Sequence, residues 1–325
     1  MTYLSHRPRR LRSTPALRDL VAESKLSPSD FIMPYFVLED ATEPQGIASL
    51  DGVYQHSLSS IIQDIKQCYE AGIKAVIIFG VPVHKNSLGS GAYARDGVVQ
   101  KAVREVRNSF GDDIVIFADL CLDEYTDHGH CGLVDRNGRV DNDSTLELYQ
   151  KIALSQAEAG VHFVAPSGMM DGQVQAIRSV LDKSEFKDVG ILAYSAKYAS
   201  GLYGPFRDAV NVRIADGGDR RSYQQDYRNA RESLKEVFLD VSEGADIVMV
   251  KPAITYLDVI SRVREVVDLP LCAYHVSGEY AMIKAASSLG WIDGEAVALE
   301  QMYAIKRAGA DLIISYFAKD IARRI

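Results

Sequence analysis

The stretch ADIVMVKPAI (245–254) sets four apolar residues, Ile247 to Val250, directly before Lys251 and Pro252. A continuous apolar run, without alternation, is what a strand buried on both faces requires. This one ends in an ammonium group. GILAYSAKYAS (190–200) has the same form, with Lys197 at the end of its apolar run. Taken singly, each lysine also reads as a solvated strand end, the commoner fate of such a residue.

Working outward, similar runs occur at 31–37, 74–80, 113–120, 162–167, 270–277 and 311–317, which with 190–196 and 246–252 makes eight. Amphipathic segments lie between them. One begins at a Ser57 cap and stops at Gly72; a second spans 144–160 and stops at Gly160. Two more, 229–246 and 299–311, enter the next run through Gly-Ala-Asp. Strands alternating with helices in this number predict a (β/α)8 TIM barrel, which needs about 250 residues. A doubly wound open sheet is the alternative, but it expects a glycine-rich turn after the first strand. LEDATEP stands there instead, and GSGAYARDG (89–97) follows the second run. The 325 residues leave a surplus, assigned to an N-terminal extended arm (1–30) ahead of a catalytic barrel (31–325), with long loops after the third and fifth strands.

Function in such a barrel sits at the carboxyl ends of the strands. Those positions carry Asp119, Ser167, Lys197, Lys251, Ser277 and Tyr316. The fifth and sixth strands are neighbours, so both lysines are expected in one mouth.

Composition excludes several classes. Hydrophobic residues make up 47% of the chain without a long apolar segment, so no transmembrane helix is expected. The basic N-terminus lacks the apolar core of a signal peptide. Four irregularly spaced cysteines do not form a disulfide framework, which points to a reducing cytoplasm. Net charge is −8, and no basic face follows the cluster Arg7, Arg9, Arg10 and Arg12. That cluster reads as a tail docking on another subunit, not as a nucleic-acid arm.

Paired lysines have a chemical use. A free lysine, pKa about 10.4, is almost wholly protonated at pH 7. Burial and a neighbouring cation both lower that value. A drop of about 2.5 units frees roughly 10% of the amine and costs about 3.4 kcal/mol. Neutral amines condense with ketones and aldehydes, so the expected chemistry is covalent catalysis through Schiff bases.

Two loops add candidates. Residues 203–225 hold Arg207, Arg220, Arg221 and Gln224 among glycines. This reads either as a lid that binds a substrate carboxylate or as a surface loop with solvated arginines. ADLCLDEYTDHGHCG (118–132) gathers thiols, imidazoles and carboxylates. Cys121, Asp123 and Cys131 can supply three ligands of an open zinc site; the other reading is free cysteines in a polar loop.

Taken in order, the motifs resemble the porphobilinogen synthase (5-aminolevulinate dehydratase) family across essentially the whole chain. They are RPRRLRSTPALRDLV, GSGAYARDG, the DxCxxxYTxHGHCG loop, VDNDSTLE, APSGMMDGQVQAIR, YSAKYAS with YGPFRDA, GDRRSYQ, MVKPA, YHVSGEYAMIK and RAGADLIISYF. The resemblance implies a hydro-lyase that condenses two 5-aminolevulinate molecules to porphobilinogen, with loss of two waters, in haem and tetrapyrrole biosynthesis. It implies that Lys251 holds the substrate that becomes the propionate side, with Ser277 and Tyr316 on its carboxylate. Lys197 matches the second-site lysine, with Arg207, Arg220 and Gln224 as its carboxylate clamp. Asp119 and Ser167 line the mouth between them. Proton transfer through Asp119, the lysine amines or a metal-bound hydroxide remains open at this point.

The resemblance further implies a divalent metal at Cys121, Asp123 and Cys131, an allosteric magnesium at Glu236 near the basic arm around Arg10, and a homo-octamer assembled through that arm. Two departures stand out. Asp123 replaces the middle cysteine of zinc-dependent members; zinc remains ahead of magnesium because two thiolates are kept. Gly168 stands where many relatives have an acid. Competing readings are a class I aldolase acting on a sugar phosphate, which lacks its phosphate cradle after the eighth strand, and a metal-storing scaffold, which leaves the paired lysines without a use.

Overall fold

The computed structural model describes residues 6–215 and 218–325. Residues 1–5 of the expected arm and 216–217 of the expected lid lie outside the described residues.

Eight parallel strands form the barrel: β1 Phe31–Leu38, β2 Ala75–Val81, β3 Val115–Leu120, β4 Phe163–Pro166, β5 Gly190–Lys197, β6 Ile247–Lys251, β7 Leu271–His275 and β8 Leu312–Ser315. Each pairs with the next, and β8 returns to β1 through Phe31↔Ile313 and Ile32↔Ile314. Closure buries both strand faces, which is why the runs do not alternate: every residue of β6, from Ile247 to Lys251, is buried.

Helices cover the outside. Those used below are α1 Leu58–Glu70, α2 Val98–Phe110, α3 Asn142–Ala159, α4 Gln173–Lys183, α5 Arg231–Glu243, α6 Leu257–Arg264, α7 Ser277–Ser288 and α8 Gly294–Ala308. Ser57 caps α1 by accepting the Ser60 N–H, and Asp141 caps α3 by accepting that of Ser144. Gly160 and Gly244 end α3 and α5 with φ of 100° and 103°, a left-handed turn that a side chain would strain.

The structure corrects some boundaries. The seventh strand stops at His275, so Ser277 opens α7 instead of closing a strand. Helix α8 begins five residues before the expected 299, because the Asp293 carboxylate caps the Ala296 N–H. Residues 6–30 form only short helical turns and contain no buried residue. Leu11, Leu20 and Val21 are exposed there, whereas Leu26 packs against the barrel core.

Candidate active site

Lys197 and Lys251 are register partners at the ends of β5 and β6. An irregularity between the pairs Ala193↔Val248 and Ala196↔Val250 gives β5 one extra residue. This bulge re-aims the strand. Tyr194 and Lys197, three residues apart, would otherwise face opposite sides; here both serve the interior. The Tyr194 ring lies 5.5 Å from the Lys197 Nζ and 5.1 Å from that of Lys251.

Both lysines are buried and line one cavity at the carboxyl ends of the strands. Aromatic rings enclose Lys251, with Tyr274 at 4.2 Å, Phe206 at 5.2 Å and Tyr203 at 5.3 Å from its Nζ. Ring faces favour the ammonium form. Burial outweighs them, and together with the Lys197 charge it pushes the Lys251 amine down to about 7. Lys197 Nζ donates to the Ser167 carbonyl at 2.5 Å.

Three carboxyl groups share this wall, and their surroundings split their behaviour. Burial lifts Asp119 to about 6, against the attraction of Lys197. Ser167 Oγ donates to Asp119 Oδ2 at 3.1 Å, and the other oxygen is buried with no partner among the described residues. Burial also opposes ionisation of Asp123, yet Arg220 and Lys197 hold it well below the usual carboxylate range. Glu124 goes the other way, raised well above the usual carboxylate range by burial and by the charges of Asp123 and Asp119. One buried oxygen of Glu124 also lacks a partner among the described residues.

Of the expected site residues, Asp119, Asp123, Ser167, Lys197, Arg207, Arg220, Gln224 and Lys251 meet on this cavity. Arg220 is already engaged: its Nη2 lies 2.7 Å from Asp123 Oδ2 and donates to the Gly129 carbonyl at 2.9 Å. Ser277 and Tyr316 stand behind the cavity wall. Ser277 Oγ accepts the Phe206 N–H at 3.0 Å, and Tyr316 Oη is 3.3 Å from Tyr274 Oη. Both therefore touch residues that enclose Lys251. Glu236 lies apart, half-buried on α5, in a separate recess with Asp171 and Glu232. Burial and those two acids raise its carboxyl. Arg10 is not among the residues lining that recess.

Ligand atoms of Cys121, Asp123 and Cys131 lie within 4.8 Å of one another, all three residues buried. Tetrahedral zinc, with zinc–sulfur bonds of about 2.3 Å, needs ligand separations of roughly 3.5–4 Å. A small inward shift meets that, so the trio fits the ion. Burial and the hydrogen bond with Cys131 keep the Cys121 thiol well above its usual range. Burial also opposes ionisation of Cys131, but the Cys121 hydrogen bond and the Arg220 charge set it below its ordinary value. Tyr149 braces the thiols: its Oη donates to the Cys131 carbonyl at 2.8 Å and lies 3.8 Å from Cys121 Sγ. A Cβ on Gly168 would sit 1.7 Å from that oxygen. Gly168 thus leaves the room that the Tyr149 hydroxyl occupies.

Sequence reading missed Glu124, Tyr149 and the aromatic enclosure of Lys251. Glu124 lay in the quoted loop, but nothing in its spacing separated it from a solvated acid. The rings come from different strands and loops, and no periodicity links them.

A closed (β/α)8 barrel with two buried lysines on adjacent strand ends defines a class of barrel enzyme with a paired-amine site. The family model for delta-aminolevulinic acid dehydratase matches residues 5–324. The chain is 52% identical to the delta-aminolevulinic acid dehydratase of Streptomyces coelicolor, over 98% of this chain and 97% of that one. Against the Synechococcus elongatus enzyme the figures are 53%, 98% and 98%. A crystal structure of the Toxoplasma gondii dehydratase, in complex with its product porphobilinogen, superposes with a TM-score of 0.96 at 42% identity, covering 98% of this chain and 91% of that one. The chain belongs to the delta-aminolevulinic acid dehydratase family, and its reaction is the family's: two 5-aminolevulinate molecules condense to porphobilinogen with loss of two waters.

Proposed function

We propose that Lys251 and Lys197 each bind one substrate as a Schiff base. The observation that carries this is their register pairing on a shared cavity. The neutral Lys251 amine attacks the ketone of the first 5-aminolevulinate, and the carbinolamine loses water to the imine. The Lys251 substrate becomes the propionate side, with Ser277 and Tyr316 taking its carboxylate. For this the Ser277 hydroxyl, which donates to the Leu202 carbonyl at 3.3 Å while its oxygen accepts the Phe206 N–H, turns its O–H to the substrate, so the segment that encloses Lys251 shifts on binding. Lys197 holds the second substrate, whose carboxylate meets Arg207, Arg220 and Gln224. Asp119, poised near 6 between the lysines, carries protons during ring closure, and Ser167 orients it.

Cys121, Asp123 and Cys131 hold zinc, the ion that two thiols and a carboxylate suit best. When bound it supplies a Lewis acid beside the second substrate. Glu236 binds an allosteric magnesium. Residues 1–30 form the arm of a cytoplasmic homo-octamer, supported by their exposed apolar residues Leu11, Leu20 and Val21.

Lys251→Ala tests the central assignment. Porphobilinogen formation, followed by colour development, is expected to fall at least about a thousandfold while the circular dichroism spectrum is kept. Retained turnover reassigns the nucleophile.

A further inference from the structure

The Asp123 carboxylate faces two ways. Its Oδ2 holds the Arg220 guanidinium at 2.7 Å, and the same side chain belongs to the trio with Cys121 and Cys131. The ion pair is desolvated, with the Arg220 and Asp123 side chains 10% and 4% exposed. Arg220 Nε is buried without a partner among the described residues, and so is Gln224 Nε2. Both residues line the cavity. Two unanswered donors, one on a cation, lack an acceptor there, and a carboxylate is the acceptor that fits both.

We propose that the Asp123–Arg220 pair couples the two sites, so that a divalent cation at Cys121, Asp123 and Cys131 and a carboxylate at Arg220 strengthen each other's binding. This rests on the metal and carboxylate assignments above. A dication brought to the trio meets a guanidinium sharing one of its ligands, and like charges repel strongly in a dry interior. A carboxylate arriving at Arg220 cancels that charge and leaves the Asp123 oxygens to the metal. Conversely, a metal that draws on Asp123 leaves Arg220 seeking an anion. Linkage makes the two effects equal. A cysteine at this position would offer only a weak sulfur acceptor to a guanidinium, so the coupling belongs to the aspartate.

The test measures zinc affinity of the full-length protein against a chromophoric chelator, with and without levulinate, a keto acid that has the carboxylate but no amine. Every protein compared, the one called wild type included, carries Lys251→Ala, so that levulinate is not held as an imine at the first site and reports the Arg220 side. Levulinate is expected to tighten zinc by at least about fivefold, and zinc to tighten levulinate by the same factor. In Asp123→Cys, zinc still binds and the factor falls, because the shared ligand is gone and only the direct repulsion between the dication and the guanidinium is left. Asp123→Asn, closer in shape, gives the same readout should the cysteine variant fail to fold. If both ligands bind the wild type independently, or levulinate weakens zinc, the coupling is refuted and the site assignments stand. An undiminished factor in Asp123→Cys and Asp123→Asn also refutes it, by placing the effect in direct contact between ligand and metal. If zinc or levulinate does not bind the wild type at all, the assignments themselves fall, and the coupling with them.

Discussion

Lys197 and Lys251 occupy paired positions at the ends of two adjacent parallel strands, over one shared tyrosine ring. The pairing has an electrostatic consequence for Lys251 that can be read in solution.

With its amine pushed down to about 7, mainly by burial and next by Lys197, Lys251 becomes reactive as pH rises through neutrality. The initial rate of borohydride trapping of levulinate at Lys251 is expected to climb with pH about a midpoint near 7. Lys197→Met removes the nearby cation, which favours protonation, so the midpoint moves upward. A midpoint unchanged or lowered in that variant contradicts the pairing argument.

The contact between Gly168 and Tyr149 predicts a non-additive pair. Gly168→Ala forces a methyl against the tyrosine hydroxyl and is expected to cost about 1–3 kcal/mol in urea unfolding. In a Tyr149→Phe background the added cost is smaller, because the closest atom is gone. Equal costs in the two backgrounds speak against direct contact.

Glu279 joins two loops behind Lys251. Its carboxylate accepts the Ile254 and Val276 N–H groups, each at 2.6 Å, while burial raises it to about 7. A raised carboxyl stabilises the fold below the unfolded value near 4.5, and that contribution is lost as pH rises through about 7. Glu279→Gln does not titrate. Its stability relative to wild type is therefore expected to improve between pH 5 and 8, by up to about 3 kcal/mol, in urea unfolding at each pH. A pH-independent difference rules out this ionisation.

Much of this was legible in the sequence, for identifiable reasons. The barrel strands announce themselves because closure buries both faces, leaving uninterrupted apolar runs such as Ile247 to Val250. The lysines stood out because charge follows such a run. Helices α2, α4, α6 and α7 were not singled out; α6 has only eight residues between its strands. The Asp123–Arg220 pair joins the 118–132 loop to the 203–225 loop, and neither residue signals its partner along the chain. Ser277 was assigned to a strand end because YHVS continues the β7 pattern past His275, where the chain instead starts α7. The bulge in β5 is a matter of register, which emerges only when strands pair.

The central claim is that Lys251, its amine pushed down to about 7, is the nucleophile for the first substrate. Borohydride reduction of the enzyme during turnover of 5-aminolevulinate, followed by peptide mass mapping, tests it most directly. The account predicts a reduced substrate adduct on the peptide carrying Lys251, absent in Lys251→Ala. Full modification elsewhere with Lys251 untouched, or no adduct while porphobilinogen still forms, would contradict it.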